Sequence, residues 1–255
     1  MLRAVLGSLV VLLAITACGG GGYVEVGVGA GWGWYDWYGV YDPWGWYPFA
    51  LSAGDLDGDG RVDVVVADGE DGAVYVFRGT RTAKVEDASS VPFIGRTEAR
   101  WIDAGRFDAD RLLDLGLVGR ESSSIATYRG DASGGFLPAP GEGPLTVRAG
   151  VRDVCVGDLD GDGLTDLVVL DGSGMLRIFL CSGRGRFAAT RSTFDLSDWM
   201  PRADRNGIAI ACGAFDDRRG PDVAVVSAAA DQILVLTGDG HGGLERGFTV
   251  AARVP

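Results

Sequence analysis

The sequence predicts an all-β fold assembled from four repeated units, and three observations carry that expectation. Glycine supplies 42 of the 255 residues, roughly twice its ordinary share. The 35 acidic residues divide into 28 aspartates and 7 glutamates, and Asp and Gly favour turns and ligand loops over helices. Finally, an Asp/Gly-rich segment followed by β-branched residues recurs along the chain. A self-similar period of this size means that one structural unit is being stacked.

Charge narrows the functional classes. A formal net charge of -12 disfavours nucleic acid and anionic membrane surfaces as partners, because phosphate recognition needs a basic footprint. A single histidine, His241, excludes any centre built from several imidazoles. The hydrophobic fraction of 47% is enough for a buried core.

Residues 1–17 read as an export signal. Arg3 precedes an apolar run from Ala4 to Ile15, too short to span a bilayer. The run ends Ile15-Thr16-Ala17-Cys18, which resembles the lipobox of bacterial lipoproteins. The resemblance implies a mature chain that starts at a lipidated Cys18 and is held in the cell envelope by its acyl chains. Gly19, in place of the aspartate that retains many such proteins at the inner membrane, points to the outer membrane in a Gram-negative source.

Residues 18–47 are a tether rich in glycine and aromatic rings. Trp32, Trp34, Trp37, Trp44 and Trp46 lie here with Tyr23, Tyr35, Tyr38, Tyr41 and Tyr47. Dense glycine opposes a fixed backbone, which suits a spacer; the rings also suit a lipid interface or sugar faces.

Residues 48–255 hold the repeats. The first, Asp55-Leu56-Asp57-Gly58-Asp59-Gly60-Arg61-Val62-Asp63, returns as Asp158-Leu159-Asp160-Gly161-Asp162-Gly163-Leu164-Thr165-Asp166. Weaker copies begin at Arg106 and Ala214, so the offsets are 51, 52 and 56 residues. In the two intact copies, aspartates at positions 1, 3, 5 and 9 crowd carboxylate oxygens around one point, and Arg61 or Leu164 at position 7 has only its backbone carbonyl to offer. Two carboxylates ~4 Å apart repel by about 4 kcal/mol at an effective dielectric near 20. A hard, oxygen-seeking Ca²⁺ relieves that repulsion, and its flexible shell suits such a loop better than Mg²⁺ does.

An EF-hand is excluded. Position 12 is Val66 or Val169 rather than glutamate, and the flanks are β-branched runs, so each loop joins two strands instead of two helices. A second apolar strand follows, as in Ala73–Phe77 and Met175–Leu180, then a glycine turn and a phenylalanine, as in Gly134-Gly135-Phe136. Every unit therefore reads as four short strands.

Loops of the form Asp-x-Asp-Gly-Asp-Gly-x-x-Asp on such a period resemble FG-GAP/VCBS repeats, the unit of the β-propeller in integrin α subunits and many bacterial surface proteins. The resemblance implies a β-propeller over residues 48–255 with about four blades of four antiparallel strands, although seven is the family's common number. It implies calcium at Asp55, Asp57, Asp59, Arg61 and Asp63, and at Asp158, Asp160, Asp162, Leu164 and Asp166. The second unit keeps only Asp108, Asp110 and Asp114, a weaker metal set, because Arg106 stands first, where it or Arg111 could form an internal ion pair instead. Ala214 and Arg218 replace two ligands in the fourth, so no metal is expected there. A closed four-bladed ring is the first expectation; an open arc completed by a second copy is the alternative.

No catalytic residues emerge. His241 lies in a glycine-rich turn and Lys84 is the only lysine, in a polar loop. The chain reads as a non-catalytic binding or adhesion module for a protein or glycan. A structural docking component of an envelope assembly is the alternative, and a propeller hydrolase or lyase is less well supported, since fold alone licenses no chemistry. Cys155, Cys181 and Cys212 permit at most one internal disulfide.

Overall fold

The computed structural model describes residues 48–68, 73–81, 85–91, 99–119, 123–139, 144–197, 208–218, 220–227 and 232–251. The export signal, Cys18 and the aromatic tether lie outside the described residues. Four antiparallel sheets follow one another along the chain. The first holds β1 (Pro48–Gly54), β2 (Asp63–Asp68), β3 (Val74–Gly79) and β4 (Val85–Val91). The second holds β5 (Ala99–Gly105), β6 (Asp114–Gly119), β7 (Ser124–Gly130) and β8 (Phe136–Pro138), with β9 (Leu145–Thr146) also on β7. The third holds β10 (Val151–Gly157), β11 (Asp166–Asp171), β12 (Met175–Cys181) and β13 (Phe187–Asp195). The fourth holds β14 (Ile208–Gly213), β15 (Asp222–Ser227), β16 (Gln232–Gly238) and β17 (Leu244–Ala251). Each sheet is an up-and-down meander and forms one blade of a four-bladed β-propeller.

The second blade departs from four strands. Its outer edge is divided, because β8 stops at Pro138 and the short β9 returns to pair with Ser124 and Ile125. Pro138 and Pro140 lack the amide that a continuous strand would donate.

Stacking puts both faces of a middle blade out of water, which explains its apolar runs. All six residues of β6 and of β11 are buried, as expected for strands covered on two sides. The inner strands pack in order, β1 on β5, β5 on β10 and β10 on β14. Three apolar clusters fill the three seams. One joins the first and second blades through Val65, Val76, Ile102 and Leu115; the next joins the second and third through Phe107, Ile125, Leu167 and Val169. The last joins the third and fourth through Val168, Leu176, Val223 and Leu236. Among the described residues no such cluster joins the fourth blade to the first.

The cysteines are assigned by this stacking. Cys155 on β10 and Cys212 on β14 form a disulfide across the third seam, with Cα atoms 5.5 Å apart. Cys181 is free and buried, its Sγ 3.3 Å from the Phe107 carbonyl. Burial pushes its thiol up to about 11, which leaves it protonated and unreactive.

Candidate metal centres

The two intact aspartate loops connect β1 to β2 and β10 to β11. Their tight course depends on left-handed backbone at Gly58 and Gly60 (φ 79° and 83°) and at Gly161 and Gly163 (φ 80° and 87°), where a Cβ would be strained. The carboxylates then fold the loop around themselves. Asp55 Oδ2 accepts from the Gly60 amide at 2.9 Å, and Asp57 Oδ1 from Asp59 at 3.1 Å. In the third blade Asp158 accepts from Gly161 and Gly163, and Asp160 from Asp162.

This folding brings three carboxylates together in each loop. One oxygen from each of Asp55, Asp57 and Asp63 lies within 4.8 Å of the others, and Asp158, Asp160 and Asp166 repeat the arrangement. Either trio could hold a metal ion. The fit is supported by Asp55 Oδ1, which is buried with no hydrogen-bond partner and so is a carboxylate oxygen left for a cation. Asp59 and Asp162 stand outside the trios. Asp59 accepts from the Arg61 amide at 2.9 Å and pairs with the Arg61 guanidinium; Asp162 accepts from Leu164 at 2.8 Å.

The ninth position has a second role that the loop pattern did not reveal. Asp63 accepts from the Leu56 amide at 3.0 Å and the Gly79 amide at 2.8 Å, tying the loop to the end of β3. Asp166 does the same with Leu159 and Cys181, and Asp114 with Phe107 and Gly130. Asp222 accepts from Phe215, Asp216 and Gly238 in the blade where Ala214 and Arg218 replace two of the loop aspartates. This aspartate is a brace of the blade as well as a ligand. Part of the signal was present, because position 9 keeps its aspartate in all four units, although position 3 does so too.

Burial raises the affinity of Asp63, Asp114 and Asp166 for protons. Desolvation lifts Asp63, against the lowering by its two backbone bonds and with further lifting by Asp57 and Asp55. Asp114 and Asp166 are pushed up to about 6, again chiefly by burial, with neighbouring loop aspartates adding to it. A cation at the trio would favour the ionised form.

In the second blade Asp108, Asp110 and Asp114 do not converge as the two trios do. Arg106 occupies the first ligand position and donates from Nη2 to the Asp110 carbonyl at 3.3 Å, a backbone bond instead of a carboxylate pair. The fourth loop holds an exposed ion pair, Arg218 Nε to Asp216 Oδ2 at 3.6 Å. His241 is exposed in the β16–β17 turn, where its amide donates to Asp239.

A model of FG-GAP-like repeats matches residues 55–117 and 106–169. No curated protein matches the chain. Among solved structures, an Agrocybe aegerita lectin, described as specifically recognising non-reducing terminal N-acetylglucosamine, is similar at a TM-score of 0.54 and 18% identity, over 76% of this chain and 50% of that one. A Lactobacillus plantarum protein is similar at 0.53 and 14% identity, over 82% and 56%. The chain thus spans about half the length of these two structural neighbours.

Proposed function

Because this chain carries FG-GAP-like repeats on a four-bladed β-propeller, we propose that it is a lipid-anchored protein of the bacterial envelope whose calcium-stabilised propeller is a non-catalytic binding module for a protein or glycan. The observation that carries the calcium reading is the pair of carboxylate trios, one with a buried oxygen left without a partner. An oxygen-only donor set in a loop suits Ca²⁺. Bound there, the ion would neutralise the crowded carboxylates; Asp55, Asp57 and Asp63 would hold it in the first blade and Asp158, Asp160 and Asp166 in the third.

The binding-module reading is supported by the way the loop carboxylates are used. The carboxylates of the loops accept from backbone amides, which supports a structural role for them. Recognition is left to the loops between strands, which a rigid scaffold presents to a partner. The glycan alternative draws on the sugar recognition described for the Agrocybe lectin, and the envelope location on the lipobox at Cys18.

The direct test is a glycan array together with native co-purification from envelope fractions, both in calcium and in chelator. Capture that depends on calcium supports the module. Calcium-independent recovery only as part of a stable complex would favour the docking component, and turnover of a glycan on the array would overturn the non-catalytic reading.

A further inference from the structure

The two intact aspartate loops share one backbone course but differ in the cations beside them. In the first blade Arg61, at loop position 7, is a seated cation: its Nε donates to the Gly79 carbonyl at 2.8 Å and its Nη2 pairs with the Asp59 carboxylate. Arg78, the residue before Gly79 in β3, brings a second. Its Nη1 lies 4.0 Å from Oδ2 of Asp57, a member of the carboxylate trio. The β7–β8 turn of the second blade confines the guanidinium there, since a Cβ on Gly134 would come 3.1 Å from Arg78 Nη2 and 3.4 Å from the Asp57 Cβ.

The third blade has leucine at both places. Leu164 is its position 7, and Leu180 precedes Cys181, whose amide meets Asp166 as the Gly79 amide meets Asp63. The β16–β17 turn lies over Leu180 as the β7–β8 turn lies over Arg78, for a Cβ on Gly242 would come 2.9 Å from Leu180 Cδ1. Among the described residues no arginine or lysine pairs with Asp158, Asp160, Asp162 or Asp166. Four aspartates and two arginines therefore leave the first site a charge of -2, whereas four aspartates and two leucines leave the third -4.

We propose, resting on the calcium reading above, that the two loops take the ion in order, the third blade's first and the first blade's only at higher free calcium. The affinity of an oxygen-lined calcium loop follows the charge of its ligand set, and Arg61 and Arg78 already offset half of the first loop's charge. An incoming Ca²⁺ at the first trio meets two fixed cations and competes with Arg78 for Asp57. At the third it meets carboxylates and apolar side chains alone. With solvent screening of the partly exposed guanidinium groups included, the first site should be weaker by about tenfold or more. Asp55 Oδ1, buried without a hydrogen-bond partner, keeps the first loop a ligand set, so its site is weakened and not lost. The first loop thereby responds to calcium over a range in which the third is already filled.

The test is calorimetric titration of the metal-stripped full chain with Ca²⁺ in detergent solution, which should show two steps separated by about tenfold or more. Asp160→Ala should delete the tight step and Asp57→Ala the weak one, and the step that remains shows in each case that the fold persists. Arg61→Leu with Arg78→Leu, which copies the third loop, should tighten the weak step by about tenfold and leave the other where it was. Arg61→Gln with Arg78→Gln should do the same by removal of charge alone. Two equal sites, a tight step that disappears with Asp57→Ala, or a weak step unmoved or absent in both arginine pairs would overturn the proposal while calcium binding itself stood. No binding at either loop would overturn the calcium reading and the proposal with it.

Discussion

Ser52 donates a 2.6 Å hydrogen bond to Asp103 across the seam between the first and second blades, and the carboxylate that accepts it is buried. The Ala104 amide adds a bond of 2.8 Å to the same oxygen. Desolvation nevertheless outweighs both and pushes the Asp103 carboxyl from its ordinary 3.8 up to about 6.

A carboxyl that holds its proton more tightly folded than unfolded makes its full contribution at low pH. That contribution is present below about pH 4 and is lost as pH rises towards about 6, a cost of roughly 3 kcal/mol for two pKa units. Asp103→Asn keeps an oxygen for Ser52 and Ala104 and removes the charge. Its thermal midpoint should exceed the wild type's by several degrees at pH 8 and match it at pH 4. Equal or lower midpoints at pH 8 would show that the buried charge is not costly.

Calcium should stabilise the fold in proportion to its two candidate sites. At free ion tenfold above the dissociation constant each site contributes about 1.4 kcal/mol, so melting in excess calcium against chelator should differ by several degrees. Asp57→Ala combined with Asp160→Ala should remove the difference, and an unchanged midpoint in the wild type would sink the metal assignment.

The fourth brace separates a structural aspartate from a ligand. Asp222→Ala leaves the amides of Phe215, Asp216 and Gly238 without their acceptor, and at about 1 kcal/mol or more per unpaired donor the loss should reach roughly 3 kcal/mol. The calcium-induced shift should persist in that variant. Asp216→Ala, which removes an exposed ion pair and an exposed bond from the Arg218 amide, should change stability much less; similar losses in the two variants would contradict the brace.

The Cys155–Cys212 bridge closes a loop of 57 residues, which in the chain-entropy account restricts the unfolded chain by about 4 kcal/mol. Urea unfolding with and without reductant should reveal a loss of that order, and alkylation in denaturant should label Cys181 but neither partner of the bridge. Labelling of all three would refute the pairing.

Much of the blade was legible because it is local. Glycines two residues apart between aspartates set the turn, and Val64 to Val66 or Leu167 to Leu170 announce a covered strand within one short window. The carboxylate trios were legible for the same reason, since Asp55, Asp57 and Asp63 lie within nine residues and the backbone turn alone gathers them. Asp59 and Asp162 fall outside the trios and accept from the amides of Arg61 and Leu164, two residues on, but Asp57 and Asp160 inside the trios accept in the same i+2 pattern. No spacing rule separates a ligand from a turn-former at that range.

By itself, then, the sequence determined the all-β repeat, its four units and the two loops able to take a cation, all properties of stretches shorter than one blade. Only the tertiary structure decided which cysteines pair and that Asp103 is buried against Ser52. Those features depend on residues about one repeat apart, 51 for Ser52 and Asp103 and 57 for the two cysteines. Such contacts exist only once whole blades have stacked, because packing across a seam, and no local preference of the chain, brings their side chains together.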